Sequence, residues 1–319
     1  MNYTITDVPG IKVGHYTDLQ AVTGCTVILA ESGAIAGACV SGSAPGTRET
    51  DLLKPGNLVQ QVHAILLTGG SAYGLDAASG VMEYLEEKHI GFQTDTIKIP
   101  IVPAAVIYDL DIGNPYVRPT KESGYIASKN ATDQEVIQGN VGAGTGAMIG
   151  KGAGKIFSMK GGIGSYSIEV GKGIIVGAIA VVNSSGDVYE NGNIIAGAID
   201  ENNNFLNIYE LMKKRAFKPN LWENTTLSVI ATNARLTKEW ANKIAQIAND
   251  GFARAIKPVH SLFDGDTIFC LSTGTIDVDF FEISLIAEIA AEVVEKSIIN
   301  AVKHAKKIDN CLSYSDLFL

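Results

Sequence analysis

Residues 224–237 read NTTLSVIATNARLT, and this stretch decides how the chain is organised. A threonine pair stands directly before an apolar, partly β-branched run, which predicts a strand over 226–232. The preceding residues 201–224 are polar and charged and contain Pro219, which is typical of an exposed linker. The chain therefore changes at this point from a linker-like segment to regular structure.

The residues after this strand have a regular pattern. They predict a helix over 238–249, a strand over 266–272 and a long helix over 280–306. The last helix carries an apolar stripe at helical spacing, which indicates that one face is buried. The stripe consists of Ile283, Ile286, Ala290, Val294, Ile298 and Val302.

The residues before the linker alternate short apolar runs with turns. The runs at 25–30, 35–40 and 64–68 predict strands because they are short, apolar and partly β-branched. A glycine pair follows the third run and permits a tight turn, and Ser71 is a plausible N-cap for a helix over 72–87.

The middle of the chain is less regular. Residues 97–108 contain two prolines and predict an edge strand or an irregular strand. Residues 139–165 are rich in glycine, which indicates close backbone approaches, and residues 173–183 predict a buried pair of strands or one long strand. Because the connections do not alternate steadily between strand and helix, we predict an α/β protein with an α/β/β/α layered arrangement rather than a doubly wound sheet.

Composition limits the classes of function. The 319 residues could form one large domain or two smaller ones by length alone, and we predict a single domain over residues 1–319. They are 46% hydrophobic and 18% charged, so the chain can bury a substantial core. The net charge is −9 without any basic stripe, which argues against a nucleic-acid partner. The sequence carries no signal-peptide pattern and no apolar run of the ~20 residues that span a bilayer. We therefore expect a cytoplasmic location and no membrane partner.

Several familiar motifs are absent or incomplete. The glycines at 142–154 match a dinucleotide-binding fingerprint only loosely, and Gly150-Lys151 is not followed by the Ser or Thr of a phosphate-binding loop. The G-x-S-x-G pattern of a serine hydrolase is missed by one position at 69–74. We therefore expect no cofactor and no metal. The histidines show no metal-ligand spacing; they are His15, His63, His89, His260 and His304.

The Asn224-Thr225-Thr226 tripeptide has two interpretations. It can simply begin a strand. Alternatively, the Thr225 hydroxyl attacks the Asn224 carbonyl and forms an ester that water hydrolyses, which leaves Thr225 as a new N-terminus. Its α-amine, with an unperturbed pKa of about 7.7–8.0, can then act as the general base for its own hydroxyl, so that no histidine is required.

The sequence FDGDT at 263–267 also has more than one interpretation. It can be a simple turn, and it does not satisfy the EF-hand calcium pattern. Its two carboxylates, Asp264 and Asp266, can also orient an amine and a hydroxyl at the start of a strand and raise the basicity of the amine.

Six segments taken together resemble the P1 family of self-processing hydrolases (peptidase family S58). That family includes D-aminopeptidase/esterase, β-peptidyl aminopeptidases and the nylon-oligomer endo-hydrolase, and the Asn-Thr junction looks closest to the last of these. The segments occur in the family's order; they are DVPGIKVGHYTD (7–18), LLTGGSAYGLDAASGV (66–81), VPAAVIYDL (102–110), GNVGAGTGAMIGK (139–151), NTTLSVIATNARLT (224–237) and FDGDTIF (263–269).

The resemblance implies a four-layer α/β/β/α sandwich that is similar to N-terminal-nucleophile hydrolases but differs in connectivity. It also implies cleavage of the Asn224–Thr225 bond into a large fragment, residues 1–224, and a small fragment, residues 225–319. Relatives assemble as homo-oligomers of the two processed fragments, often tetramers, and we expect the same here.

The resemblance further implies roles for individual residues. Thr225 occupies the nucleophile position, Asp264 and Asp266 the pair that positions it, and Asn183 the position that stabilises the oxyanion. Lys151 and Tyr108 match further active-site residues, with Lys155 and Lys160 as rivals of Lys151. Asn183, Lys151 and Tyr108 also have purely structural interpretations. The asparagine caps a turn, the lysine is solvated, and the tyrosine is a core ring.

The function that the resemblance implies is hydrolysis of a small peptide or amide substrate, and it does not assign the natural substrate. Two alternatives come from other classes. One is an acyltransferase like ornithine acetyltransferase, which has a similar self-cleaving architecture. The other is a catalytically silent member of the fold.

Overall fold

A computed structural model describes residues 1–214 and 224–318 of the chain. The strands are β1 (Lys12–Asp18), β2 (Thr23–Val40), β3 (Thr47–Arg48), β4 (Gln61–Thr68), β5 (Phe92–Gln93), β6 (Lys98–Ile99), β7 (Ala104–Val106), β8 (Met148–Ile149), β9 (Met159–Lys160), β10 (Gly162–Val170), β11 (Ile174–Asn183), β12 (Asp187–Glu190), β13 (Asn193–Ala196), β14 (Thr225–Ala234), β15 (Ile256–Lys257) and β16 (Thr267–Ile276). The helices are α1 (Ala77–Glu87), α2 (Lys121–Lys129), α3 (Ile208–Lys213), α4 (Lys238–Ile247), α5 (Asn249–Ala255), α6 (Phe280–His304) and α7 (Tyr314–Phe318).

The principal sheet has nine strands. Their order is β10-β11-β14-β16-β2-β4-β7-β3, and β1 also pairs with β2. β14 and β16 are parallel, as are β4 and β7, whereas the other pairs are antiparallel. The sheet is therefore mixed.

The long strand β2 connects two halves of this sheet. Its first part pairs with β1 and β4, and its second part, from Ile35, pairs with β16. The pairing with β4 shifts register between Leu29 and Ala34, and Gly33 between them has φ +82°, which glycine adopts without steric cost. The predicted strands at 25–30 and 35–40 are thus one strand with an irregularity, because the intervening polar residues stay extended.

The two halves pack face to face. Ile179 of β11 and Val229 of β14 belong to the same buried cluster as Ile28 of β2 and Ile65 of β4. Their neighbours in sequence point the other way, because side chains alternate along a strand. This apolar layer forms the β/β interface of the molecule.

Helices cover both outer faces. Helices α4, α5 and α6 pack on β10, β11 and β16 in one cluster, which includes Val294 and Phe252. Helices α1 and α2 pack on β2 and β4 in another cluster, which includes Val81 and Ala127. The four-layer α/β/β/α prediction is therefore confirmed.

Some predicted boundaries differ from the structure. The helix predicted over 72–87 begins with a 3₁₀ turn at Ser71–Asp76 and becomes α-helical at Ala77. The N-cap prediction for Ser71 is wrong, because Ser71 itself has φ +54° and Gly70, at φ +83°, occupies the cap position. The backbone N–H of Ser71 instead donates to the Ile107 carbonyl.

Other segments are divided more finely than predicted. The helix predicted over 238–249 ends at Ile247, and α5 follows it, whereas the long helix predicted over 280–306 is present as α6. The linker predicted over 201–224 contains α3, and its residues 215–223 lie outside the described residues.

The glycine-rich segment approaches other backbone closely, as predicted. A Cβ at Gly144 would lie 2.3 Å from the Ile163 nitrogen, and one at Gly150, which has φ +79°, would lie 2.2 Å from the Ala198 nitrogen. Within the described ranges, none of the helices combines the length and apolarity that a membrane span requires.

Candidate active site

The pairing of three neighbouring strands places the predicted residues together at one end of those strands. Thr225 begins β14, and because β11 runs antiparallel beside it, Asn183 at the end of β11 is its direct partner. β16 runs parallel to β14, so the turn before β16 lies beside the start of β14, and Asn224 forms a bridge with Asp264. Residues that are distant in sequence therefore meet, because three adjacent strands begin or end at the same level of the sheet.

The Asn224–Thr225 peptide has two donors on its carbonyl oxygen. Thr225 Oγ1 donates to Asn224 O at 2.6 Å, and the Gly265 backbone N–H donates to the same oxygen at 2.9 Å. Thr225 is only 6% exposed. The hydroxyl therefore contacts the carbonyl of its own preceding peptide, and the second donor is oriented to stabilise negative charge on that oxygen.

Position 265 is too crowded for a residue with a side chain. A Cβ there would lie 2.8 Å from Thr225 Oγ1 and 2.7 Å from the Ala44 carbonyl oxygen. The middle residue of the Asp-Gly-Asp turn is thus glycine because the threonine hydroxyl and the chain at Ala44 both approach it.

Asp266 binds the backbone next to Thr225. Its Oδ1 accepts the Thr226 backbone N–H at 2.7 Å. Its Oδ2 lies 2.8 Å from His260 Nδ1 and also accepts the His260 backbone N–H at 3.2 Å. Asp266 therefore fixes the peptide that follows the candidate nucleophile.

Asp264 occupies a different environment. Its Oδ2 accepts the Ser261 backbone N–H at 2.7 Å. Within residues 1–214 and 224–318, no hydrogen bond joins Thr225 Oγ1 to the carboxylate of Asp264 or Asp266. The geometry around Thr225 is thus set through backbone groups.

The pKa of Asp264 is raised to about 6 by burial and by the nearby charge of Asp266, which the charge of Lys151 partly offsets. A carboxyl group with such a pKa exchanges protons near neutral pH. Asp264 is consequently suited to carry a proton.

Asn183 is held at both ends of its amide. Its Oδ1 accepts from Met148 N at 3.1 Å and from Lys151 Nζ at 3.0 Å. Its Nδ2 donates to the Tyr108 backbone carbonyl at 3.1 Å. Lys151 and Tyr108 therefore both contact Asn183, the latter through its main chain, and they fix the orientation of its amide beside the strand position that pairs with Thr225.

The three candidate lysines have different surroundings. Lys151 is buried and binds Asn183, whereas Lys155 is exposed. Lys160 is fully buried, and burial lowers its pKa to about 8. Its ammonium group binds three backbone carbonyls of the glycine-rich segment, those of Gly144, Ala147 and Gly161. Lys151 is thus the lysine that contacts the site, and Lys160 supports the loop around it.

Sequence reasoning missed two features of the site. The Gly265 N–H was not recognised as a donor, because a glycine between two aspartates is equally typical of a simple turn. His260 was set aside with the other histidines, because no spacing pattern connects it to Asp266. Its position six residues before Asp266 was the one signal available.

Comparisons with known proteins agree with this architecture. The chain matches the sequence model of peptidase family S58 over residues 3–312. It is 38% identical to an uncharacterized aminopeptidase of Mycobacterium leprae, over 99% of this chain and 94% of that protein. It is 31% identical to a 6-aminohexanoate-oligomer endohydrolase of Paenarthrobacter ureafaciens, over 85% of this chain and 75% of that protein. The identity is thus higher with the aminopeptidase than with the endohydrolase.

A solved structure shows the same fold. The L-aminopeptidase D-Ala-esterase/amidase of Ochrobactrum anthropi superposes with a TM-score of 0.75, over 99% of this chain and 92% of that chain, at 19% identity. That protein is described as a new variant among the Ntn hydrolase fold. The expected similarity to N-terminal-nucleophile hydrolases is therefore confirmed.

Proposed function

We propose that this chain, which belongs to peptidase family S58 and is a hydrolase of amide bonds, cleaves its own Asn224–Thr225 bond and then uses Thr225 as its nucleophile. The observation that carries the proposal is the short contact between the Thr225 hydroxyl and the Asn224 carbonyl, at 2.6 Å, with the Gly265 N–H on the same oxygen. The substrate is a small peptide or amide.

The processing step follows from this contact. Thr225 Oγ1 attacks the Asn224 carbonyl carbon, and the charge that develops on the oxygen is stabilised by the Gly265 N–H. The carbon–nitrogen bond then breaks, the nitrogen takes up the proton that the hydroxyl lost, and an ester remains. Water hydrolyses the ester, which gives a carboxylate at Asn224 and a free amine and hydroxyl on Thr225.

The same groups support turnover of an external amide. The freed α-amine has an ordinary pKa of about 7.7–8.0 and acts as the base for the Thr225 hydroxyl. Asp264, with its raised pKa, exchanges protons with it, while Asp266 holds the adjoining peptide. Asn183, opposite Thr225, contributes its amide N–H to the oxyanion, and water releases the acyl group from the ester.

The test compares two adjacent threonines. Thr225→Ala removes the attacking hydroxyl, and we expect it to abolish both processing and hydrolysis of amino-acid p-nitroanilides. Thr226→Ala is the matched control, because it retains the backbone N–H that Asp266 binds. Fragments are followed by denaturing gel and activity by p-nitroaniline release.

Processing in the Thr225→Ala variant would refute the assignment of the nucleophile. Loss of processing in the Thr226→Ala variant alone would transfer that role to the neighbouring hydroxyl. A panel of p-nitroanilides with different N-terminal residues, assayed with the wild-type protein, then identifies the acyl group that the site prefers.

A further inference from the structure

His260 makes two hydrogen bonds to one carboxylate oxygen. Its Nδ1 and its backbone N–H both contact Asp266 Oδ2, at 2.8 and 3.2 Å. The other oxygen of the same carboxylate accepts the Thr226 N–H. A continuous chain of contacts therefore runs from His260 through Asp266 to the peptide that follows Thr225.

The backbone of His260 has an unusual conformation. Its φ is +50°, in the left-handed region, which is uncommon for residues other than glycine. In this conformation the ring nitrogen and the backbone nitrogen of one residue both contact the same oxygen. The ring also packs against Phe252, with centroids 5.8 Å apart.

The charges around His260 are consistent with an ion pair. Burial opposes protonation of the imidazole, but the hydrogen bond and the charge of Asp266 outweigh it, with smaller contributions from the Asn249 backbone and Asp264, so the pKa of His260 is raised. The raised pKa favours the protonated imidazole, whose Nδ1 carries the hydrogen that is donated to Asp266 Oδ2.

We propose that His260 is a positioning residue of this site: its two donors fix Asp266, and Asp266 in turn fixes the Thr226 amide and the direction of the Thr225 hydroxyl. The inference rests on the proposed function, because processing is the step that this alignment serves. His260 does not contact the reacting atoms and does not replace the α-amine as base.

Two variants separate this role from simple packing. His260→Asn keeps a side-chain N–H donor near the Nδ1 position and tolerates the left-handed backbone, but it loses the ring. His260→Phe keeps a ring against Phe252 but has no donor for Asp266. Thermal melting of both variants verifies that each is folded.

The experiment measures the rate of fragment formation as a function of pH for the wild-type protein and both variants. We expect His260→Phe to process about 100-fold more slowly, because a small misplacement of reacting groups has effects of this size. We expect His260→Asn to stay close to the wild-type rate at high pH. The fall in its rate at low pH should begin at a higher pH than in the wild type, because a neutral amide lacks the positive charge that a protonated His260 places near Asp264.

The outcomes distinguish this inference from the proposed function. A His260→Phe variant that processes at the wild-type rate would overturn the inference and leave the proposed function standing. Equal slowing of both variants would also overturn it, since the N–H donor that His260→Asn retains would then fail to preserve processing. If the processing rate of His260→Asn fell at the same low pH as that of the wild type, the charge of His260 would have no effect. That result would overturn the inference as stated. A wild-type chain that stays intact would overturn both.

Discussion

At the scale of single residues, the site consists of a hydroxyl and a carbonyl on neighbouring residues, surrounded by backbone donors. Thr225 Oγ1 and Gly265 N both contact the Asn224 oxygen, and Asp266 holds the next peptide. Groups of this kind are fixed by the fold and need little reorganisation when charge develops. This explains how a buried threonine without a bonded base can be oriented for attack.

Asp264 provides a test of the electrostatics through stability. Its pKa in the folded protein is raised to about 6, above its ordinary value, so the stability associated with its protonated form is fully present below about pH 4 and is lost as the pH rises through 6. Asp264→Asn has no carboxyl group at this position, so its stability does not fall in this way as the pH rises. We expect the stability advantage of the variant to widen by roughly 2–3 kcal/mol between pH 4 and pH 8, since one pKa unit corresponds to about 1.4 kcal/mol.

The measurement is urea unfolding of Thr225→Ala and of Thr225→Ala with Asp264→Asn, so that both chains remain uncleaved. Asp187, whose pKa burial also raises to about 6, is common to both chains and cancels in the comparison. A stability difference that does not change with pH would show that Asp264 titrates normally in the folded protein.

The sequence was informative for some residues and silent for others. The chemistry of a hydroxyl after a polar linker pointed to Thr225, and the family resemblance gave Asn183, Asp264 and Asp266 their expected roles. The contact of His260 with Asp266 was not predicted. His260 has a left-handed backbone, and no local sequence motif predicts that conformation. The Ser71 prediction failed for the related reason that Gly70 occupies the cap position.

At the scale of elements, close packing of small residues holds the helix layer on the sheet. Gly164 in β10 lies under α6: a Cβ there would be 2.2 Å from the Ala301 nitrogen and 2.3 Å from the Ser297 carbonyl oxygen. β10 and α6 accordingly pack closely against each other. The approach of this helix therefore depends on the absence of a side chain at one strand position.

Gly164→Ala tests this packing. We expect a loss of about 1–3 kcal/mol in the free energy of unfolding, because the helix must shift away from the strand to admit the methyl group. Gly171→Ala is the matched control, since no atom lies within 4 Å of its added Cβ. Urea unfolding in the Thr225→Ala background measures both, and equal stabilities would contradict the account of this interface.

Elements whose apolar residues follow a clear local pattern were predicted well. Elements that depend on tertiary contacts were not. The strand at β14 and the helix α6 follow apolar patterns that local sequence carries by itself. The continuity of β2 through Gly33 was not predicted, because glycine and polar residues between two apolar runs are equally typical of a turn. Pairing with β4 before and after Gly33, and with β16 from Ile35, keeps the two parts of β2 in one strand.

At the scale of the whole molecule, the proposed cut lies in the middle of the principal sheet. β14 would carry the new N-terminus and is bonded to β11 on one side and to β16 on the other. The β11–β14 pairing crosses from the large fragment to the small one, as does the pairing of β2 with β16. The fragments should therefore stay associated after cleavage and co-elute in gel filtration. Assembly into a homo-oligomer of processed protomers stays a prediction.

The overall architecture was more predictable than its connections. The mixture of strands and helices, together with the family resemblance, indicated four layers, and the buried clusters on both faces of the two half-sheets have that arrangement. The route by which one bent strand joins the half-sheets depends on long-range pairing. No single segment of the sequence encodes it.

The most direct test of the central claim is the intact mass of the freshly purified wild-type protein under denaturing conditions. The account predicts two polypeptides whose masses correspond to residues 1–224 and 225–319, with the small one beginning at Thr225. A single polypeptide of 319 residues, in a preparation that hydrolyses amides, would contradict it.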